Sequence, residues 1–186
     1  MVEFRASSTA VEVLGEVLMA FASGFPQEGR SFGIKILEKH GLSTPEPQKY
    51  YPLQSFLDAM KEISDTFSAQ MLYRVGEQIA LHAVLPPGID DLEKCLGLID
   101  TAYHMNHRGG EIGKYEYQFQ GTEGGLQRAR MICNNPYPCA FDRGVIEGFA
   151  KRFKSSASYD VVVRHDDSAP CRRNGQDSCT YIISWL

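Results

Sequence analysis

The chain has 186 residues, 43% of them apolar and 23% charged, with a formal net charge of −4. That is enough for one domain with a sizeable core and too little for two, so residues 1–186 are expected to form a single unit. The mildly acidic balance excludes a global attraction to nucleic acid, and the short basic runs Lys151-Arg-Phe-Lys154 and Arg172-Arg173 read as solvated surface. No stretch approaches the roughly 18 apolar residues of a membrane span, and the five cysteines are an odd number, so reduced thiols in a soluble, cytoplasmic protein are expected.

Residues 7–107 read as helical. Ser7, Ser8 and Thr9 offer caps to an apolar stripe of Val11, Leu14, Leu18 and Phe21. A second helix should start near Pro26, carry Phe32, Ile36 and Leu37, and end at Gly41 in a left-handed cap. The prolines of Ser43-Thr-Pro-Glu-Pro-Gln-Lys49 make that stretch a linker. A third helix, with Pro52 in its first turn, should bury Leu53, Phe56, Leu57, Met60, Ile63 and Phe67. The fourth runs from Ala69 through Leu72, Val75 and Ile79 until Pro86-Pro87-Gly88 stops it, and the fifth spans Asp90 to Asn106.

Arg108-Gly109-Gly110 breaks the helical pattern, and residues 111–186 read as the sheet-containing part. Ile112, Tyr115, Tyr117 and Phe119 suit a strand, Gly124-Gly125 a turn, and Arg128 to Cys133 a second strand. Phe141 to Phe153 reads as a helix, and Tyr159 to Arg164 and Thr180 to Trp185 as two further strands. Helices followed by β-β-α-β-β define an α+β domain, its helices packed on a small antiparallel sheet.

Chemistry concentrates in the last third, in Asn135-Pro-Tyr-Pro-Cys139, His165, Asp167 and Cys171-Arg-Arg-Asn-Gly-Gln-Asp-Ser-Cys179. The symmetry of Cys171 and Cys179 about Gly175 suggests a hairpin with both sulfurs on one face. A metal would then tie that hairpin to the helix opened by Cys139. Packed reduced thiols and a Cys171–Cys179 disulfide are the plainer readings. No third group completes a catalytic triad with His165 and a thiol, so no enzyme activity is expected. Cys95 reads as a core thiol in an amphipathic pattern with Leu92, Leu96 and Ile99.

The element order, with Cys171-x-x-x-Gly-x-x-x-Cys179 and the closing Tyr181-Ile-Ile-Ser-Trp strand, resembles the 4-vinyl reductase domain family over Leu72 to Trp185. That family shares its fold with haem nitric-oxide-binding domains and with subunits of the TRAPP vesicle-tethering complex. The resemblance implies a structural zinc on Cys139, Cys171 and Cys179, with Asp167 as the fourth ligand and His165 or Cys133 as alternatives. It also implies a cavity between helices and sheet for a small hydrophobic ligand, lined by Phe67, Met71, Tyr103, Tyr115, Phe119 and Phe149, with a signal passed to a partner protein or through a homodimer. Gly144 and Gly148 on the last helix would suit a dimer contact.

A haem-based gas sensor is the alternative, with His104 or His107 of Tyr103-His-Met-Asn-His107 as iron ligand. Against it, both histidines suit the C-terminal end of a helix, where they complement the dipole. The Tyr-x-Ser-x-Arg motif with which haem-binding relatives grip the propionates is also absent from the chain. A tetrapyrrole vinyl reductase or its accessory factor is a further alternative, suggested by the family's name alone.

Overall fold

A computed structural model describes residues 1–83, 87–153 and 161–186. Pro86, Lys154 and the first residues of the expected strand at Tyr159 lie outside the described residues. The architecture is α+β, as the element order implied, with one antiparallel sheet in the C-terminal part and a smaller one inside the helical half.

The small sheet was not expected. Glu12–Leu14 is strand β1, lying between β2 (Tyr50–Pro52) and β3 (His107–Arg108). Val11 and Val13 alternate inward and are buried, and Leu53 N–H donates to the Val11 carbonyl. The first helix therefore begins only at Gly15 (α1, Gly15–Ser23), and Ser7, Ser8 and Thr9 cap nothing. Three short fragments far apart in sequence make this sheet, and none is long enough to carry a strand period by itself.

Helix α2 (Gln27–Lys39) follows Pro26 and passes through His40 to Gly41, whose φ is 77°. Its Ile36 and Leu37 are buried, whereas Phe32 is exposed and meets Phe67 edge to face at the surface. Pro52 ends β2 rather than entering α3 (Leu53–Phe67), which buries Leu53, Phe56, Leu57, Met60 and Ile63 as expected. Helix α4 spans Ala69–His82. The expected fifth helix is two short ones, α5 (Leu92–Gly97) and α6 (Ile99–Met105), broken at Leu98.

The larger sheet has order β4-β5-β7-β6, all antiparallel, from β4 (Lys114–Glu123), β5 (Leu126–Asn134), β6 (Val162–His165) and β7 (Cys179–Trp185). Gly124-Gly125 turns the first hairpin with φ of 58° and 84°, a pair of positive values that only glycine adopts freely. Helix α7 (Cys139–Arg152) links β5 to β6 and packs on α4. The two helices run parallel, since Gly144 meets Tyr73 and Gly148 meets Ala80. Both glycines are thus consumed inside the chain. An added Cβ at Gly144 would sit 2.0 Å from the Tyr73 carbonyl oxygen, and one at Gly148 2.4 Å from that of Glu77. The expectation that they serve a dimer contact is corrected accordingly.

Candidate functional site

Four side chains from three places in the sequence converge at one end of the larger sheet. Cys179 opens β7 opposite Cys133 of β5, and His165 closes β6 opposite Tyr181. Cys139 is the first residue of α7, behind the extended Pro138. Cys171 precedes a 3-10 turn (Arg172–Asn174), with Gly175 left-handed at φ 77°. The expected positive φ at Gly175 is present, but the expected hairpin is not: Cys179 pairs across the sheet with Cys133.

The three sulfurs and a ring nitrogen of His165 all lie within 4.8 Å of one another. Sγ of Cys139 is 2.9 Å from that of Cys179 and 3.8 Å from that of Cys171. All five cysteines carry free thiols. Nε2 of His165 is buried without a hydrogen-bond partner among the described residues, while Nδ1 lies 3.0 Å from the Asp167 carboxylate. A carboxylate on the outer nitrogen and a bare inner nitrogen is how a metal-binding histidine is oriented. The donor set of three thiolates and one imidazole suits a four-coordinate zinc ion. Asp167, named from the sequence as the fourth ligand, is 96% exposed and positions His165 instead. Cys133 is fully buried and outside the cluster.

Beneath the thiols lies a buried charge network that the sequence did not reveal. Arg172, read there as half of a solvated pair, is 1% exposed. Its backbone N–H and its Nε–H both donate to Cys179 Sγ at 3.4 Å, and Nη1 donates to Asn135 Oδ1 at 2.6 Å. Nη2 pairs with Asp142 of α7, whose other oxygen accepts from the Tyr115 hydroxyl at 2.5 Å. The Cys139 hydrogen bond and the Arg172 charge pull the Cys179 thiol down, and the same contact, together with burial, raises Cys139. Only the placement of an arginine inside the Cys171–Cys179 segment hinted at this.

A cleft of about 780 Å³ opens over the cluster, walled by Tyr73, Arg143, Arg164 and Arg173. Arg143 is engaged by Glu147 four residues on and stands over the Tyr73 ring. A second cavity, of about 750 Å³, lies among the helices rather than between helices and sheet. It is lined by Leu14, Val17 and Ala20 of the β1–α1 segment, by Leu98, Ile99, Ala102 and Met105 in and before α6, and by Ile79, Cys95 and Phe149. Its small lining residues are Ala20, Gly24, Ala83 and Ala102. Burial pushes the Cys95 thiol up to about 12, so it lines the cavity as a neutral group.

Of the six side chains named from the sequence as ligand contacts, Phe149 alone lines this cavity. Tyr103 and Tyr115 are buried core, their hydroxyls donating to the Ile112 carbonyl and to Asp142. Phe67 and Met71 pack partly buried against the core, and Phe119 is exposed on the sheet beside Trp185. Neither candidate haem histidine faces the cavity. His104 is exposed, with Nδ1 at 2.9 Å from the Asp100 carbonyl oxygen. His107 is buried with both nitrogens engaged, Nδ1 to the Tyr103 carbonyl oxygen at 2.7 Å and Nε2 to the Tyr137 hydroxyl at 2.6 Å.

No model of a known protein family matches the chain, and no curated protein matches it. Solved structures do. An H-NOX protein from S. oneidensis in the Fe(II) ligation state aligns over 93% of this chain and 96% of its own, with a TM-score of 0.65 at 17% identity. The Fe(II) unliganded H-NOX protein from K. algicida aligns over 93% and 96%, with a TM-score of 0.58 at 12% identity. A doubly substituted variant of Tt H-NOX aligns over 92% and 93%, with a TM-score of 0.62 at 11% identity. This chain has the H-NOX fold along nearly its whole length. Among the described residues, no helix is long and apolar enough to cross a membrane.

Proposed function

We propose that the chain is a non-enzymatic sensor domain that takes a small hydrophobic ligand into the helical cavity, steadied by a structural zinc on Cys139, His165, Cys171 and Cys179. The observation that carries this reading is the cavity: about 750 Å³ of mainly apolar space, within the size range of small-molecule sites. Its lining comes from different elements, α1 and α6 among them, so a ligand that touches both favours one arrangement of those helices. The signal is then a shift in population, passed to a partner protein that reads the arrangement. The thiolate-rich metal set has no open position for water, which fits a structural rather than a catalytic ion. Cys139, Cys171 and Cys179 are also the residues on which the 4-vinyl reductase resemblance rests.

The fold comparison favours a second reading, a haem-based gas sensor, because the neighbours include an H-NOX protein in the Fe(II)NO state. The described side chains do not fit haem. No histidine, lysine or arginine is among those that line the cavity, so neither an imidazole for the iron nor a cation for the propionates is offered there. One preparation tests both. Protein purified without chelator and then supplemented with haem is assayed by elemental analysis, absorption and uptake of the neutral dye Nile red. About one zinc per chain, saturable dye binding and no Soret band are expected. A Soret band at stoichiometric haem would replace this reading with the haem sensor.

A further inference from the structure

From the lining of the helical cavity we infer that its ligand is uncharged, and that carboxylates are selected against. This rests on the apolar-cavity reading above and narrows it. Among the described residues lining the cavity, the polar ones are Ser23, Gln78, Thr101 and Asn106, all neutral, and the charged one is Glu16, an anion on the first turn of α1. A buried carboxylate needs a cation or several N–H donors to replace its hydration. The cavity provides the opposite sign.

The cation that comes near is Arg152 of α7, whose charge is felt at Cys95. It is already committed: its Nη1 donates to the carbonyl oxygens of Ala80 and Ala83 at the C-terminal end of α4. Arg152 is not among the described residues that line the cavity, so a carboxylate inside it meets no cation there. A neutral alcohol of the same carbon skeleton meets no such penalty, and its hydroxyl finds neutral hydrogen-bonding groups in Thr101 and Asn106. Fatty acids and acidic tetrapyrroles are thereby disfavoured relative to isoprenoid, aromatic or aliphatic molecules without charge.

The test is displacement of Nile red from the full chain at pH 7.5 by a matched pair, farnesol and farnesoate. Farnesol should displace the dye at least about tenfold more effectively than farnesoate, a difference of about 1.4 kcal/mol. Thr101→Arg places a cation in the lining and should move the preference toward farnesoate by about tenfold; Ala20→Lys, on α1, serves the same purpose if the first variant fails to fold. Equal or better displacement by farnesoate overturns the inference of a neutral ligand while leaving the apolar cavity intact. Absence of dye binding, or dye binding unchanged in Ala102→Phe, overturns the cavity reading itself and the inference with it.

Discussion

Arg172 and Asp142 form an ion pair in which both side chains have zero exposure, directly beneath the thiol cluster. Each is further held, Arg172 by Asn135 and Cys179, Asp142 by Tyr115. A charge so placed is tolerated only while its partner remains. Arg172→Met should destabilise the fold by about 3–5 kcal/mol, because it leaves the Asp142 carboxyl buried without its counter-charge. Arg172→Met with Asp142→Leu should recover part of that loss. Urea unfolding of the three chains checks this, and equal losses for single and double variants would refute it.

Removal of the metal-facing groups should separate ligands from supports. His165→Ala and Cys139→Ser each take one donor from the set and should lower zinc content to well below one per chain after dialysis. Asp167→Asn keeps every donor and loses only the charge on Nδ1 of His165. It should weaken zinc by about 10–100-fold, visible in competition with a chromogenic chelator but not in protein loaded with excess metal. Loss of zinc in Asp167→Asn as complete as in His165→Ala would make Asp167 a ligand after all.

The contrast between His165 and Asp167 shows what the sequence could carry. Spacing brought the cysteines into view because few residue types do chemistry and three of them crowd one region. It could not rank two candidates two positions apart, since an extended strand would put both on one face, and the choice turns on β6 ending at His165 so that Asp167 falls in the turn beyond it. The C-terminal strand order was legible through Gly124-Gly125 and the apolar alternation of β5 and β7. The small sheet was not, because β1 owes its existence to pairing with residues 50–52 and 107–108 rather than to its own three residues. Core aromatics and cavity aromatics look alike in sequence. Tyr103 and Tyr115 proved to be core because Ile112 and Asp142 receive their hydroxyls, a tertiary fact.

His107 gives the protein an acid-sensitive point. Burial holds its imidazole down at about 4 in the fold, against 6.5 for an unperturbed histidine. Below pH 6.5 the unfolded chain therefore takes a proton that the folded chain refuses, and stability falls with pH down to about 4. The full loss over that window is on the order of 3 kcal/mol. His107→Gln, which keeps a donor and an acceptor toward Tyr103 and Tyr137 without titrating, should flatten the dependence. Urea midpoints between pH 7 and pH 4 that fall equally in both proteins would assign the acid sensitivity elsewhere.

Gly144 should be the least replaceable small residue of the α4–α7 contact. Parallel helices have no favourable dipole pairing to draw them together, so their close approach rests on packing. Here the backbones touch: a Cβ at Gly144 would lie 2.0 Å from the Tyr73 carbonyl oxygen, and one at Gly76 2.5 Å from that of Phe141. Neither neighbour is a flexible side chain that can swing aside. Gly144→Ala must push α7 off α4, at a cost of about 1–3 kcal/mol or more. It should also loosen the metal set, because the same helix begins at Cys139. Gly97, at the end of α5, has nothing within 4 Å of its Cβ position, so Gly97→Ala should be neutral or slightly stabilising through helix propensity. Thermal unfolding and zinc retention measured on both variants decide it: a Gly144→Ala protein as stable and as metal-retentive as Gly97→Ala would mean that the two helices do not pack at the distance described.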